Sequence, residues 1–376
     1  MKVLYIVNAL AIHGGLERVI VDKMNWLAEH TEFGVYVVTM DQGNHPVVYP
    51  LHKKIYHVDL GIFFYELYQY NGLKRLKSSF LLHKLLRSRL KEIILDISPD
   101  IVICTQKQFV GDVDRARGKI PLVFECHSAY LAWRYEDYGV WQRLENMLYN
   151  REVKKVQMVV SLTKGDAEEW RKITPHVMVI PNIVHLNDMK RISDCRSKKV
   201  IFVGRYTSQK DIGSLLHIWN LVHLRHPDWQ LNLYGGLGNE LGKWQKEMDR
   251  MNSNVEVHDP TSDIIDKYLE SSLLLLTSIY EPFGLVLPEA MSCGLPVVAF
   301  NCPYGPGDIV TDGVDGYLIK NRDVDAFADR ICHLIENEEL RLKMGKVAIR
   351  SSQRYKSDKI MPQWIKLFNE IISVSN

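Results

Sequence analysis

At 376 residues and a formal net charge of +2, with 46% hydrophobic and 24% charged residues, the chain has the composition of an ordinary globular protein. The length predicts two or three domains with sizeable cores. The near-neutral charge leaves no electrostatic footprint for nucleic acid, and no apolar run reaches the length of a membrane span.

Met1-Lys2-Val3-Leu4-Tyr5-Ile6-Val7 reads as a strand rather than a signal peptide, so a cytoplasmic protein is expected. The cysteines (Cys104, Cys126, Cys195, Cys293, Cys302 and Cys332) lack metal-ligand spacing. They read as small buried hydrophobes in a reducing compartment. After the strand Val3 to Val7 come Gly14 and Gly15 and a helix to about His30. Strand, glycine pair and helix N-terminus make the first unit of a doubly wound sheet, although the turn holds no G-x-G-x-x-G. Further strands are predicted at Gly34 to Met40, Ile101 to Thr105, Leu122 to Cys126 and Met158 to Leu162, with helical segments between. Such alternation predicts a parallel sheet.

Gly61 to Tyr70 is rich in aromatics and leads into a basic helical stretch with Lys74, Arg75, Lys77, Lys84, Arg87, Arg89 and Lys91. It fits a surface helix with a solvated basic face. It fits equally a segment that docks on anionic lipid or a lipid-linked pyrophosphate. Glu125-Cys126-His127-Ser128 closes a strand at its carboxyl end, where ligands of open α/β sheets gather. His127 there is either a ligand contact or a hydrogen-bonded structural residue. Trp133, Tyr135, Tyr138 and Trp141 either stack on a sugar or simply pack.

The polar stretch Asn187 to Lys199 predicts a domain boundary, with 1–185 before it, 186–199 as linker and 200–358 after it. Val200 to Gly204 is a buried strand running into Arg205, with Lys210 five positions on and a helix from about Asp211. Two cations on a strand-to-helix loop suit a diphosphate, the lysine as a point charge and the arginine as a fork. Their plain reading is two exposed loop cations. Trp229 to Tyr234 is a strand ending at Gly235-Gly236-Leu237-Gly238, and Val255 to His258 is another. Asp323-Val324-Asp325 has the look of a metal-binding D-x-D but opens a helix, where acids complement the dipole, so no metal is expected. A last helix is predicted from Lys359 to Val374.

Leu273 to Leu276 and Pro296 to Phe300 read as two buried strands, with a helix from about Gly284 to Ser292 between them. Gly294 stops that helix and Pro288 is tolerable near its first turn. Glu281 precedes the helix and Glu289 lies within it. The amides of Phe283, Gly284 and Leu285 favour anionic or hydroxyl-rich ligands. Each carboxylate can accept hydrogen bonds from vicinal hydroxyls, or simply complement the helix dipole and face solvent.

Glu281-Pro282-Phe283-Gly284 through Glu289-Ala290, followed by Cys293-Gly294-Leu295-Pro296-Val297-Val298-Ala299, resembles the E-x7-E segment of retaining glycosyltransferases of family 4. The resemblance implies a GT-B architecture: α/β, with two facing Rossmann-like domains, an active site in the interdomain cleft and the last helix returning to the first domain. It places Gly14-Gly15 near the donor phosphates and acceptor, and His127 near the donor sugar. It assigns Arg205 and Lys210 to the diphosphate and the Gly235 loop to the nucleotide. It gives Glu281 with the Phe283 to Leu285 amides to the hexose, and Glu289 to the ribose. Asp308 departs from the pattern, which carries Gly-Gly and a glutamate in that loop.

The implied reaction moves a hexose from a nucleotide sugar, expected to be a UDP-hexose, to a glycan or lipid-linked acceptor of a surface polysaccharide. No metal or cofactor is implied. The alternatives are a nucleotide-sugar epimerase of the same fold and a non-catalytic subunit.

Overall fold

The computed structural model describes residues 1–132, 139–187, 191–235, 241–248, 250–251 and 254–375. It divides the chain into two compact units. The first comprises Met1–Leu162, Asp166–Ile183 and Ser357–Asn376, and the second Thr163–Gly165 and Val184–Lys356.

The first unit is built on a seven-stranded sheet. Its strands are β1 (Lys2–Val7), β2 (Gly34–Thr39), β3 (Tyr56–Asp59), β4 (Ile101–Cys104), β5 (Leu122–Cys126), β6 (Met158–Ser161) and β7 (Val177–Val179), in the order β3-β2-β1-β4-β5-β6-β7. Every pairing is parallel. The central strands are apolar throughout because helices cover both faces of such a sheet: β4 and β5 are wholly buried. Helix Gly15–His30 packs Val19, Ile20, Met24 and Leu27 inward, with Lys23 among them. The closing helix Ser357–Ser375 buries Ile360, Met361, Trp364, Leu367, Phe368 and Ile371, one stripe at helical spacing.

The second unit carries β8 (Lys199–Gly204), β9 (Gln230–Gly235), β10 (Val255–His258), β11 (Leu273–Leu276), β12 (Val297–Phe300) and β13 (Gly316–Ile319), in the order β10-β9-β8-β11-β12-β13. These pairs are parallel as well. Counted from its own first strand, the order is 3-2-1-4-5-6, that of doubly wound nucleotide-binding sheets. The order reverses between β8 and β11, so their connections leave on opposite faces and open a crevice at the carboxyl ends. The first unit has its reversal between β1 and β4.

Residues 186–187 and 191–199, read from sequence as linker, belong to the second unit. Asn187 N donates to Ser292 Oγ at 3.0 Å, Ser193 N to Cys293 O at 2.8 Å and Ser193 Oγ to Ser271 O at 2.6 Å. Asp323 caps the helix Val324–Glu336 by accepting from Ala326 N at 3.1 Å. The six cysteines are buried and unpaired, and burial pushes the Cys104 and Cys126 thiols up to about 12. No helix among the described residues is long and apolar enough to cross a membrane.

Candidate active site

The crevice at the β8/β11 reversal gathers most of the sequence-selected residues of the second unit. Beyond β8, Arg205 is exposed and has no carboxylate partner among the described residues. The chain then makes a short 3-10 turn, Ser208–Lys210, and enters helix Ile212–Arg225. Asp211 sits at the junction with φ +49 and caps the helix, its carboxylate accepting from Ser214 N at 3.1 Å and Ser214 Oγ at 2.7 Å.

The loop after β11 is laced to this turn. Thr277 Oγ1 donates to Lys210 O at 3.0 Å, Ile279 N to Gln209 O at 2.8 Å, and Gln209 Nε2 to Tyr280 O at 3.0 Å. These bonds bring Lys210 Nζ onto Glu281 Oε1 as a charged hydrogen bond. Ser278 Oγ donates to the same oxygen at 2.7 Å. The Lys210 side chain is 15% exposed and that of Glu281 5%. A third strand-end loop pins the Glu281 backbone. Glu281 N donates to Pro303 O at 2.6 Å, and Tyr304 N and Gly305 N return to Glu281 O at 2.9 and 3.0 Å.

Helix Val286–Ser292 begins two residues later than the sequence predicts. Gly284 has φ +94, outside helical space and in the region open to glycine, so the turn precedes the helix. The amides of Phe283, Gly284 and Leu285 have no hydrogen-bond acceptor among the described residues. The Phe283 ring packs edge-on against Tyr355, with centroids 5.4 Å apart. That side chain therefore serves the core, and only its backbone is open to a ligand. Glu289, half-buried, accepts from Tyr268 Oη at 3.2 Å, so it is an oriented carboxylate rather than a freely solvated one. Gly235 ends β9 with φ +126, where a Cβ would lie 2.3 Å from Gly204 O. The rest of that glycine loop, 236–238, lies outside the described residues.

Arg322 escaped the sequence reading. It follows β13 and reaches back to the β11 loop, its Nη2 donating to Thr277 O and Ser278 O at 2.8 Å each. Its Nη1 pairs with Asp211 and its guanidinium stacks on Phe300 at 4.3 Å. One side chain thus holds the loop of Lys210 against the loop of Glu281. Asp308, which departs from the family pattern, lies in the short helix Gly305–Ile309 and accepts from Lys164 N at 2.6 Å.

In the first unit, Gly14 precedes helix Gly15–His30 and accepts from Arg18 N at 3.2 Å. His127 follows β5, with Nε2 2.8 Å from Glu125 Oε1. The same oxygen receives the Lys23 ammonium, and all three side chains are almost wholly buried. Burial alone would raise the Glu125 carboxyl, but the Lys23 ammonium and then His127 outweigh it and hold it near about 2. Burial pushes the Lys23 ammonium down, against the pull of Glu125. Trp133, Tyr135 and Tyr138 lie outside the described residues, as does the side chain of Trp141.

The fold is shared with solved glycosyltransferases. TarM superposes with a TM-score of 0.81 at 18% identity, covering 98% of both chains. HepE of Anabaena, solved in complex with UDP and glucose, gives 0.76 at 18% identity over 98% of this chain and 99% of that one. Among curated relatives, the amylovoran biosynthesis glycosyltransferase AmsD of Erwinia amylovora is 31% identical over 223 residues, 57% of this chain and 62% of AmsD. The poly(ribitol-phosphate) alpha-N-acetylglucosaminyltransferase of Staphylococcus aureus is 28% identical over 291 residues, 74% of this chain and 57% of that protein. The matches thus span less than two thirds of these curated relatives. Residues 13–188 match the family described as Glycosyltransferase Family 4, and residues 188–351 match Glycosyl transferases group 1. Matched in tandem by these two families, the chain belongs to the family 4-type glycosyltransferases of GT-B fold.

Proposed function

We propose that the chain is a retaining hexosyltransferase. It takes a hexose from a UDP-hexose and passes it to a glycan or lipid-linked acceptor in surface polysaccharide synthesis. The observation that carries this reading is the Lys210–Glu281 pair at the β8/β11 reversal, with exposed Arg205 on the same loop. The complex of HepE with UDP and glucose and the biosynthetic role in the name of AmsD support the donor and the pathway class.

In this reading the diphosphate binds Arg205 and Lys210. The acceptor hydroxyl oxygen bonds the anomeric carbon as the bond from that carbon to phosphate oxygen breaks. The electron pair stays with the phosphate, which takes the hydroxyl proton, and the two cations offset the charge that develops. Lys210 is already oriented by Glu281, so little reorganisation accompanies the step. Glu281 and the Phe283 to Leu285 amides take the hexose hydroxyls, and Glu289 takes the ribose. Gly14 and Gly15, at the start of the first helix, and His127, at the end of β5, are assigned to donor and acceptor by resemblance. No metal or cofactor takes part.

Release of nucleotide from a panel of UDP-glucose, UDP-galactose, their N-acetyl forms and GDP-mannose tests this function. The expected result is slow release from one UDP-sugar, faster with its acceptor. A sugar changed in configuration without nucleotide release would replace the reading with an epimerase. Nucleotide bound but never turned over, with any acceptor, would replace it with a non-catalytic subunit.

A further inference from the structure

The basic stretch that the donor site leaves unused lies on helix Gly72–Ile97. Its second half is fastened to the first unit through Leu86, Leu90, Ile94 and Ile97, all buried. No residue of its first half is fully buried, and of its apolar side chains there Leu82 alone packs against the core. Leu73 is 85% exposed, Leu76 68% and Phe80 64%, and the preceding turn adds Tyr68 at 82%. Positions 73, 76 and 80 follow helical spacing and fall on one outward arc, and Lys77 and Lys84 fall on the same arc. Between Gly72 and Lys91 the helix has no acidic residue.

The cations divide into two groups. Arg87 donates to His83 O at 3.1 Å and lies 3.6 Å from Asp112, and Arg89 donates to Leu60 O, so both serve the fold. Lys74, Arg75, Lys77, Lys84 and Lys91 are exposed and have no carboxylate partner among the described residues. Lys74 and Arg75 rest on the rings of Tyr70 and Tyr68.

We propose that this half-helix and the turn before it dock on an anionic lipid surface. The argument is charge complementarity combined with apolar exposure. The cores of protein–protein interfaces are depleted of lysine, whereas here lysines interrupt the apolar arc itself. At a headgroup boundary that arrangement fits: leucine and phenylalanine enter the acyl edge while the long lysine stems reach back to the phosphates. The surface is independent of the donor site, and failure of either reading leaves the other intact.

Flotation of the whole chain with vesicles tests it. Binding is expected with mixed phosphatidylglycerol and phosphatidylcholine vesicles at low salt, and its loss with phosphatidylcholine alone or at high salt. Each cation near such a surface changes partitioning about fivefold, so the triple variant Lys74→Gln, Lys77→Gln, Lys84→Gln is expected to bind about a hundredfold more weakly. Leu76→Ala with Phe80→Ala is expected to weaken it as well, without loss of fold because both side chains are exposed. No binding, equal binding to neutral vesicles, or a response of these variants seen only in self-association by sedimentation would overturn the proposal.

Discussion

Lys210→Ala is expected to lower kcat/KM for the donor by about 10²–10³-fold, the usual loss on removing one fixed donor to developing charge. The variant also loses stability, because Glu281 then keeps only the Ser278 hydroxyl on a carboxylate that is 5% exposed. Its cost stays below that of a fully buried pair because water reaches the 15%-exposed lysine. Circular dichroism and thermal melting show whether the protein remains folded, and nucleotide release gives the rate. Glu281→Ala disturbs the same pair from the other side, so the two changes together should cost less than the sum of each alone. A folded Lys210→Ala protein with the parent rate would remove Lys210 from the chemistry.

The largest stability effect is expected at Lys23→Met. Lys23 and Glu125 are each 1% exposed, and the ammonium also sits 3.9 Å from the Trp364 ring centroid. Removing it leaves the buried carboxylate with His127 as its remaining partner, a loss of about 3–5 kcal/mol at neutral pH by urea denaturation. The pH dependence gives the sign. In the parent, Glu125 is held near about 2 against an ordinary 4.5, so its contribution is complete above 4.5 and fades as the pH falls towards 2. Without the ammonium, burial pushes the carboxyl up from the parent value, opposed by His127 alone. The folded variant then takes up its proton at a higher pH than the parent, and its deficit shrinks as the pH falls from neutral towards 2. A constant deficit across that range, or one under about 1 kcal/mol, would mean that Lys23 does not sustain the charge of Glu125.

What was legible follows from burial. β11 is Leu273–Leu276 and β12 Val297–Phe300, continuous apolar runs that only a sheet covered on both faces explains. β3 was not read because Tyr56–Asp59 is an edge strand with no fully buried residue, so selection for an apolar run is absent. Helix Glu338–Ser352 has no readable signal because around Met344 it buries Arg341, Gly345, Ala348 and Ser352, small and polar residues that leave little apolar period. At the candidate site, Arg205, Lys210, Glu281 and Glu289 stand out because strand ends and motif spacing mark them. Arg322 does not, since its partners Thr277 and Ser278 lie 45 and 44 residues away and are backbone carbonyls. Lys23 was likewise silent, although Glu125 inside the apolar strand Leu122–Cys126 was a usable signal: a buried carboxylate there requires a cation from elsewhere.

The most direct test of the donor site is a calorimetric titration of UDP into the parent and into Arg205→Ala and Lys210→Ala. The account predicts that the parent binds and that each variant binds at least about tenfold more weakly, the equivalent of one charged hydrogen bond. Undiminished binding by both variants, or no binding by the parent, would contradict it.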